Sequence, residues 1–259
     1  MPIDISCPRP GVRKARMAFL ASVALLLAQA PAASAFDLGG LWPLTASGPL
    51  LKEQRAIGAF SALKLDTAAR VSVRLGAEDA VEVEAEGNVV PLIDAQVVGR
   101  TLVVSDSGAY RKSGAVVRVT ARRIDAISVA GATAVSADGL RGTALALSLG
   151  GSSALRLSDL AVQRLSVTMG GASALKASGT ADSLNATLGG ASALQASGLA
   201  ARAVSVEGGG SSQALVWALE SLSGALAGAA GLGHYGAAAA AVQTSGAARV
   251  RALGAAPPP

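Results

Sequence analysis

The chain has 259 residues, 22 of them Lys or Arg and 17 Asp or Glu, with one His and one Cys. The cysteine, Cys7, precedes an apolar run near the N-terminus, so the remainder has no disulfide, thiol nucleophile or cysteine metal ligand. One histidine without further cysteine excludes a zinc site of the usual composition.

Residues 1–35 are built like a signal peptide. Arg9, Arg13, Lys14 and Arg16 give a positive n-region, Met17 to Ala30 an apolar h-region, and Ala33-Ser34-Ala35 a cleavage site before Phe36. Met17 is an alternative start. The apolar run is shorter than the ~20 residues a membrane span needs. Without residues 1–35, 18 basic face 16 acidic residues, and the net charge falls from +5 to about +2. The case that a basic chain makes for nucleic acid or anionic membrane is thereby withdrawn.

Residues 36–58 mix Gly, Pro and charges without a period and read as a linker or N-terminal arm, with Trp42 as an anchor. From Ser61 to Arg123 the chain alternates. Val71, Val73 and Leu75 alternate with Arg70, Ser72 and Arg74, and Val81, Val83 and Ala85 with Glu82, Glu84 and Glu86. These are half-buried strands. A hairpin across Gly76 to Asp79 would pair the arginines with the glutamates. Leu102 to Val104 and Val116 to Val119 continue the pattern, and Ser105 to Gly114 is an exposed loop with Tyr110, Arg111 and Lys112 at its tip.

A Gly-led motif then recurs at Gly131, Gly151, Gly171, Gly190, Gly210, Gly228 and Gly246, at spacings of 20, 20, 19, 20, 18 and 18 residues. A fixed short period marks a solenoid. Positions −6, −4 and −2 from each Gly are apolar (Leu145, Leu147, Leu149; Leu165, Val167, Met169; Leu184, Ala186, Leu188), and so are +4 and +6 (Leu155, Leu157; Leu175, Ala177). Each coil is therefore predicted as strand, turn, strand and Gly-rich corner. Thr133, Ser153, Ser173 and Ser192 share position +2 and predict a stacked hydroxyl ladder. Residues 59–250 form one domain on this reading, with regular repeats over 131–250 and a disordered tail at 251–259.

With these motifs in view, the sequence resembles the bacterial exported family described as "putative auto-transporter adhesin, head GIN domain". The residues that carry the likeness are Phe60-Ser-Ala-Leu63, Val71-Ser-Val73, Val81-Glu-Val83 with Asn88, Leu102-Val-Val104, and Ile124-Asp-Ala-Ile127-Ser-Val129-Ala-Gly131. The resemblance implies an all-β fold, a right-handed parallel β-helix (β-solenoid) of ~20-residue coils with a less regular N-terminal portion. It brings no catalytic motif and no cofactor. The last coils depart from the family pattern, since Ala runs replace the Ser-Gly-Ala corners, and no amphipathic strands for a translocator barrel follow them.

Chemistry is sparse. His234 lies in a glycine-rich stretch and reads as a loop or coil-surface residue. Asp138 and Asp159 in neighbouring turns read as turn formers rather than calcium ligands. A polysaccharide lyase or hydrolase would need clustered carboxylates, or a basic residue beside metal-binding acids, and the acids after Gly131 are scattered over different coils and positions. Ice-binding ladders are approached only at Ser166/Thr168 and Asn185/Thr187. Arg156 and Lys176 share position +5 and are candidate contacts for an acidic glycan, with Trp217 and Tyr235 as candidate platforms for sugar rings. The expectation is an exported, non-enzymatic, adhesin-like or envelope protein, periplasmic or at the cell surface, without metal or cofactor. Its partners would be glycans or other envelope components, not nucleic acid. The alternative is a carbohydrate-active β-helix enzyme or a glycan-binding module.

Overall fold

The structure, a computed structural model, describes residues 44–111 and 113–255. The leader at 1–35, Trp42 and the last four residues lie outside them.

Alternation in the sequence becomes one 17-stranded sheet wound into coils, two faces of which, the first and second sheets below, are ladders of parallel strands. The first contains β4 (Arg70–Leu75), β11 (Ala134–Asp138), the first halves of β13 (Ala154–Met169), β14 (Ala174–Leu188), β15 (Ala193–Gly208) and β16 (Gln213–Leu226), then β17 (Gly231–Tyr235) and β19 (Arg249–Gly254). The second contains β3 (Ala62–Asp66), β10 (Ala126–Val129), β12 (Arg141–Leu149), the second halves of β13 to β16, and β18 (Ala239–Thr244). Equivalent repeat positions face each other across the ladders, as in Leu155↔Leu175↔Leu194 and Leu165↔Leu184↔Val204. The predicted inward sets at −6, −4, −2, +4 and +6 are buried.

The predicted break within each coil is absent from the three central repeats. β13, β14 and β15 run unbroken from one Gly corner to the next, and each bends at a shift of register, after Leu157, Lys176 and Ala196. Asp159, with φ +50°, takes up the bend in β13. Only the Gly corner interrupts the strand.

The corners stack as a column. Gly171 has φ +71°, and its carbonyl accepts the amide of Ala191 in the next coil at 2.8 Å. Beneath the column, Ser153, Ser173, Ser192 and Ser212 are buried in line with Thr133. Thr133 Oγ1 accepts from the Thr67 amide and lies 2.9 Å from the carbonyls of Thr67 and Ala130. The four serine hydroxyls have no hydrogen-bond partner among the described residues. The stack exists, but not as a bonded ladder, because rungs ~4.8 Å apart exceed the ~2.7–2.8 Å of an O–H···O bond.

At the N-terminal end the ladder turns antiparallel. β9 (Val116–Ala121) lies parallel to β4 and antiparallel to β5 (Ala80–Glu86), so β4 and β5 flank a common neighbour and the expected hairpin does not form. Alternation fixes which side of a strand is inward and leaves its partner open. β2 (Leu50–Arg55), inside the stretch read as a loose arm, pairs antiparallel with β5, and Arg55 Nη2 donates to the Val90 carbonyl at 3.2 Å. Its residues are largely exposed, so it carries no alternation to read. β6 (Ile93–Val98) closes the second sheet antiparallel to β7 (Thr101–Asp106), and β7 runs parallel to β3. The loop tip at Tyr110 is tied down: β1 (Leu44–Thr45) pairs with β8 (Tyr110–Arg111), and burial pushes the Tyr110 phenol up to about 12. At the other end β19 reaches Gly254, past the predicted limit of 250.

Candidate functional site

The outward positions of the first sheet form three rows. The third, at the far end of β4 and β11, holds Arg74, Asp138 and Ser158; the other two carry most of the unpaired cations. The first runs Arg70, Ala134, Ala154, Ala174, Ala193 and Gln213, then Gly231 and Arg249; the second runs Ser72, Ser136, Arg156, Lys176, Gln195 and Leu215, then Gly233 and Arg251. Five of the positions in these two rows are basic and none is acidic. Small side chains in the first row leave a groove of about 400 Å³, floored by the alanines, with Arg70 at one end and Arg156, Lys176 and Gln195 along one wall.

Arg156 and Lys176 are direct register partners, so the two residues paired on sequence grounds do meet. Both are exposed, and among the described residues neither has a carboxylate within salt-bridge distance. Like charges one rung apart repel by up to about 1 kcal/mol in water, a penalty that a bound anion removes. On neighbouring parts of the surface, cations have been matched: Arg141 pairs with Asp159 at 2.6 Å and Arg202 with Glu220 at 2.8 Å. Asp138 accepts from Ser158 Oγ at 2.7 Å, as a structural acid does.

A second depression, of about 740 Å³, opens near the C-terminal end of the same face. Gly231 and Gly233 supply no side chains there, and Arg249 and Arg251 stand on the next rung. At the N-terminal end the cations are paired. Arg118 on β9 bonds Glu82 at 2.8 Å and also Glu84, and the Arg118 guanidinium holds the Glu84 carboxyl below its usual range, with Lys52 adding to the effect.

Trp217 and Tyr235 are also register partners, on β16 and β17. They line neither depression. Both are half-buried, and the Trp217 Nε1–H has no acceptor. They do not join Arg156 and Lys176 in one site. His234 is neither on a loop nor on the surface: it follows Leu232 in the inward row of β17, opposite Val216, and is 6% exposed. Gly231 and Gly233 before it are strand residues on outward positions, which the Gly-rich composition concealed.

A profile of the family described as "putative auto-transporter adhesin, head GIN domain" matches residues 59–238. The chain belongs to this family. The GIN-domain chain is similar in fold to a crystal structure described as a putative adhesin from Bacteroides fragilis, with TM-score 0.75, 21% identity, 81% of this chain and all of that one covered. It is also similar to a putative lipid binding protein from Parabacteroides distasonis (TM-score 0.67, 13% identity, 82% of this chain and 100% of that) and a putative adhesin from Parabacteroides merdae (TM-score 0.63, 16% identity, 81% and 98%). At these identities the likeness is one of fold. No curated protein matches the GIN-domain chain. No helix among the described residues is long and apolar enough to cross a membrane.

Sequence reasoning found Arg156 and Lys176 and missed Arg70, Arg249 and Arg251. Arg70 precedes the repeats and was assigned to a solvated strand face. Counting position +3 forward to Arg249 and +5 to Arg251, through the faded last coils, would have placed the other two in the rows.

Proposed function

We propose that this GIN-domain chain is exported and acts without chemistry, as an adhesin-like interaction protein whose working surface is the outward face of the first sheet. The observation that carries the reading is that this face concentrates cations that have no salt-bridge partner among the described residues, beside a groove whose two rows hold no carboxylate. A glycoside hydrolase needs two carboxylates flanking the bond it cuts. A groove without one favours binding over cleavage, and so speaks against the carbohydrate-active alternative. The n-region, h-region and Ala33-Ser34-Ala35 site support export.

Two measurements test this. A tagged chain is exposed to protease on intact and on permeabilised cells: cleavage on intact cells is expected, and protection until permeabilisation refutes adhesion. The purified protein is also incubated with acidic polysaccharides. Polymer cleavage that disappears in the Arg156→Ala/Lys176→Ala variant refutes the non-enzymatic reading.

A further inference from the structure

We infer that the face from β4 to β19 is a binding track for a linear acidic polysaccharide, gripped at Arg156 and Lys176 mid-way and at Arg249 and Arg251 near its C-terminal end. The inference rests on the reading above that this face is the working surface, and adds the chemistry of what lies on it.

Charge spacing selects the ligand. Arg70 and Arg249 are seven rungs apart in one row, or about 34 Å at ~4.8 Å per rung. Five cations over that length average one positive charge per ~7 Å, grouped at the start, the middle and the end of the track. Duplex DNA carries a negative charge per ~1.7 Å and a single strand one per ~3.4 Å, so over the track a duplex would leave about three-quarters of its phosphates unmatched and a single strand about half. A linear polysaccharide with an acid on every ring or every second ring carries its charge more sparsely than a nucleic acid and leaves fewer charges unmatched on such a track.

Shape agrees with charge. Single-stranded nucleic acid is held by aromatic platforms, and neither row contains an aromatic residue. A bilayer is flat and cannot follow a recess, whereas the alanine floor lies below Arg70, Arg156 and Lys176 and admits a narrow chain. Gln195 on the groove wall and Ser136 opposite Arg156 offer neutral hydrogen bonds to sugar hydroxyls. The track also has a natural end. Beyond β4 the next rungs carry Arg118 already bound to Glu82 and Glu84, and Lys52 bound to Glu84, so among the described residues no free cation continues the track there.

The test measures binding of the purified protein to polygalacturonate, with dextran as neutral control and single-stranded DNA and phosphatidylglycerol vesicles as competing polyanions. Polygalacturonate is expected to bind and dextran not, with affinity falling as salt rises. Arg156→Gln/Lys176→Gln and, separately, Arg249→Gln/Arg251→Gln are each expected to weaken binding at least tenfold. Arg141→Gln, a cation off the track, is expected to change it less than twofold. Matching thermal melts confirm that the variants are folded. Absence of polygalacturonate binding, indifference to both double variants, or tighter binding to DNA or vesicles would overturn the track. None of these results touches the adhesin-like reading, which stands or falls on surface accessibility and polymer cleavage.

Discussion

Two adjacent glycines provide a sharp test of the corner column. At Gly171, φ is +71° and an added Cβ would sit 2.5 Å from the Gly151 carbonyl oxygen. That oxygen cannot retreat, because it accepts the Ala172 amide at 2.8 Å. Gly171→Ala therefore meets the left-handed penalty of ~1–2 kcal/mol and an overpacking cost of ~1–3 kcal/mol, about 2–5 kcal/mol together. At Gly170 nothing lies within 4 Å of an added Cβ, and φ is outside the left-handed region. Gly170→Ala should then be neutral or stabilising by up to ~1 kcal/mol through the unfolded chain. Urea unfolding of both variants at comparable m-values measures the difference, and for a domain of this size it corresponds to roughly 5–15 °C in Tm. If Gly171→Ala lost no more stability than Gly170→Ala, the stacked left-handed corner would be wrong.

Further expectations follow from buried polar groups and ion pairs. Ser173→Ala removes a buried hydroxyl without a partner, and should raise stability by about 1 kcal/mol; a loss of that size in urea titration would contradict the packing described. His234→Leu replaces a buried imidazole whose Nδ1 is unpartnered, and should likewise raise the melting temperature. A lower one would mean that His234 has a partner. For Asp79, burial acts to raise the carboxyl, but hydrogen bonds from the Arg122 amide and guanidinium outweigh it and hold it below 3.8. Ser113 and the Gly114 amide lower Glu86 below 4.5. Folded values below unfolded ones mean that this stability is present above about pH 4.5 and is lost as pH falls through the lower folded values. Thermal melts should show that loss, and Asp79→Asn should reduce it; a pH-independent Tm between pH 5 and pH 2 would refute the assignment.

Much of the architecture was legible because stacking repeats the same physical problem at every coil. Leu145, Leu165 and Leu184 recur at one position since each must fill the same slot in the bore, and each corner needs Gly because the carbonyl of the coil before it lies in the way. What failed to show was pairing. Val71 and Val81 alternate identically whether their strands are partners or flank β9, and Leu50 to Arg55 have too little burial to leave a pattern. The site was half legible for a related reason. Arg156 and Lys176 sit in strong repeats, whereas Arg249 and Arg251 stand after Ala runs that blur the register. Trp217 and Tyr235 were grouped with them by chemistry alone, and the coil geometry sets them at a different corner.

The Gly column also makes length a quantised property. Corner carbonyls bond only to the coil directly above, so one whole repeat can be duplicated or lost while both junctions keep their hydrogen bonds. Such an event moves the two ends of the molecule ~4.8 Å apart or together and adds or removes one step of the basic face. Lineages could thus adjust how far the domain reaches by unequal recombination within the repeats.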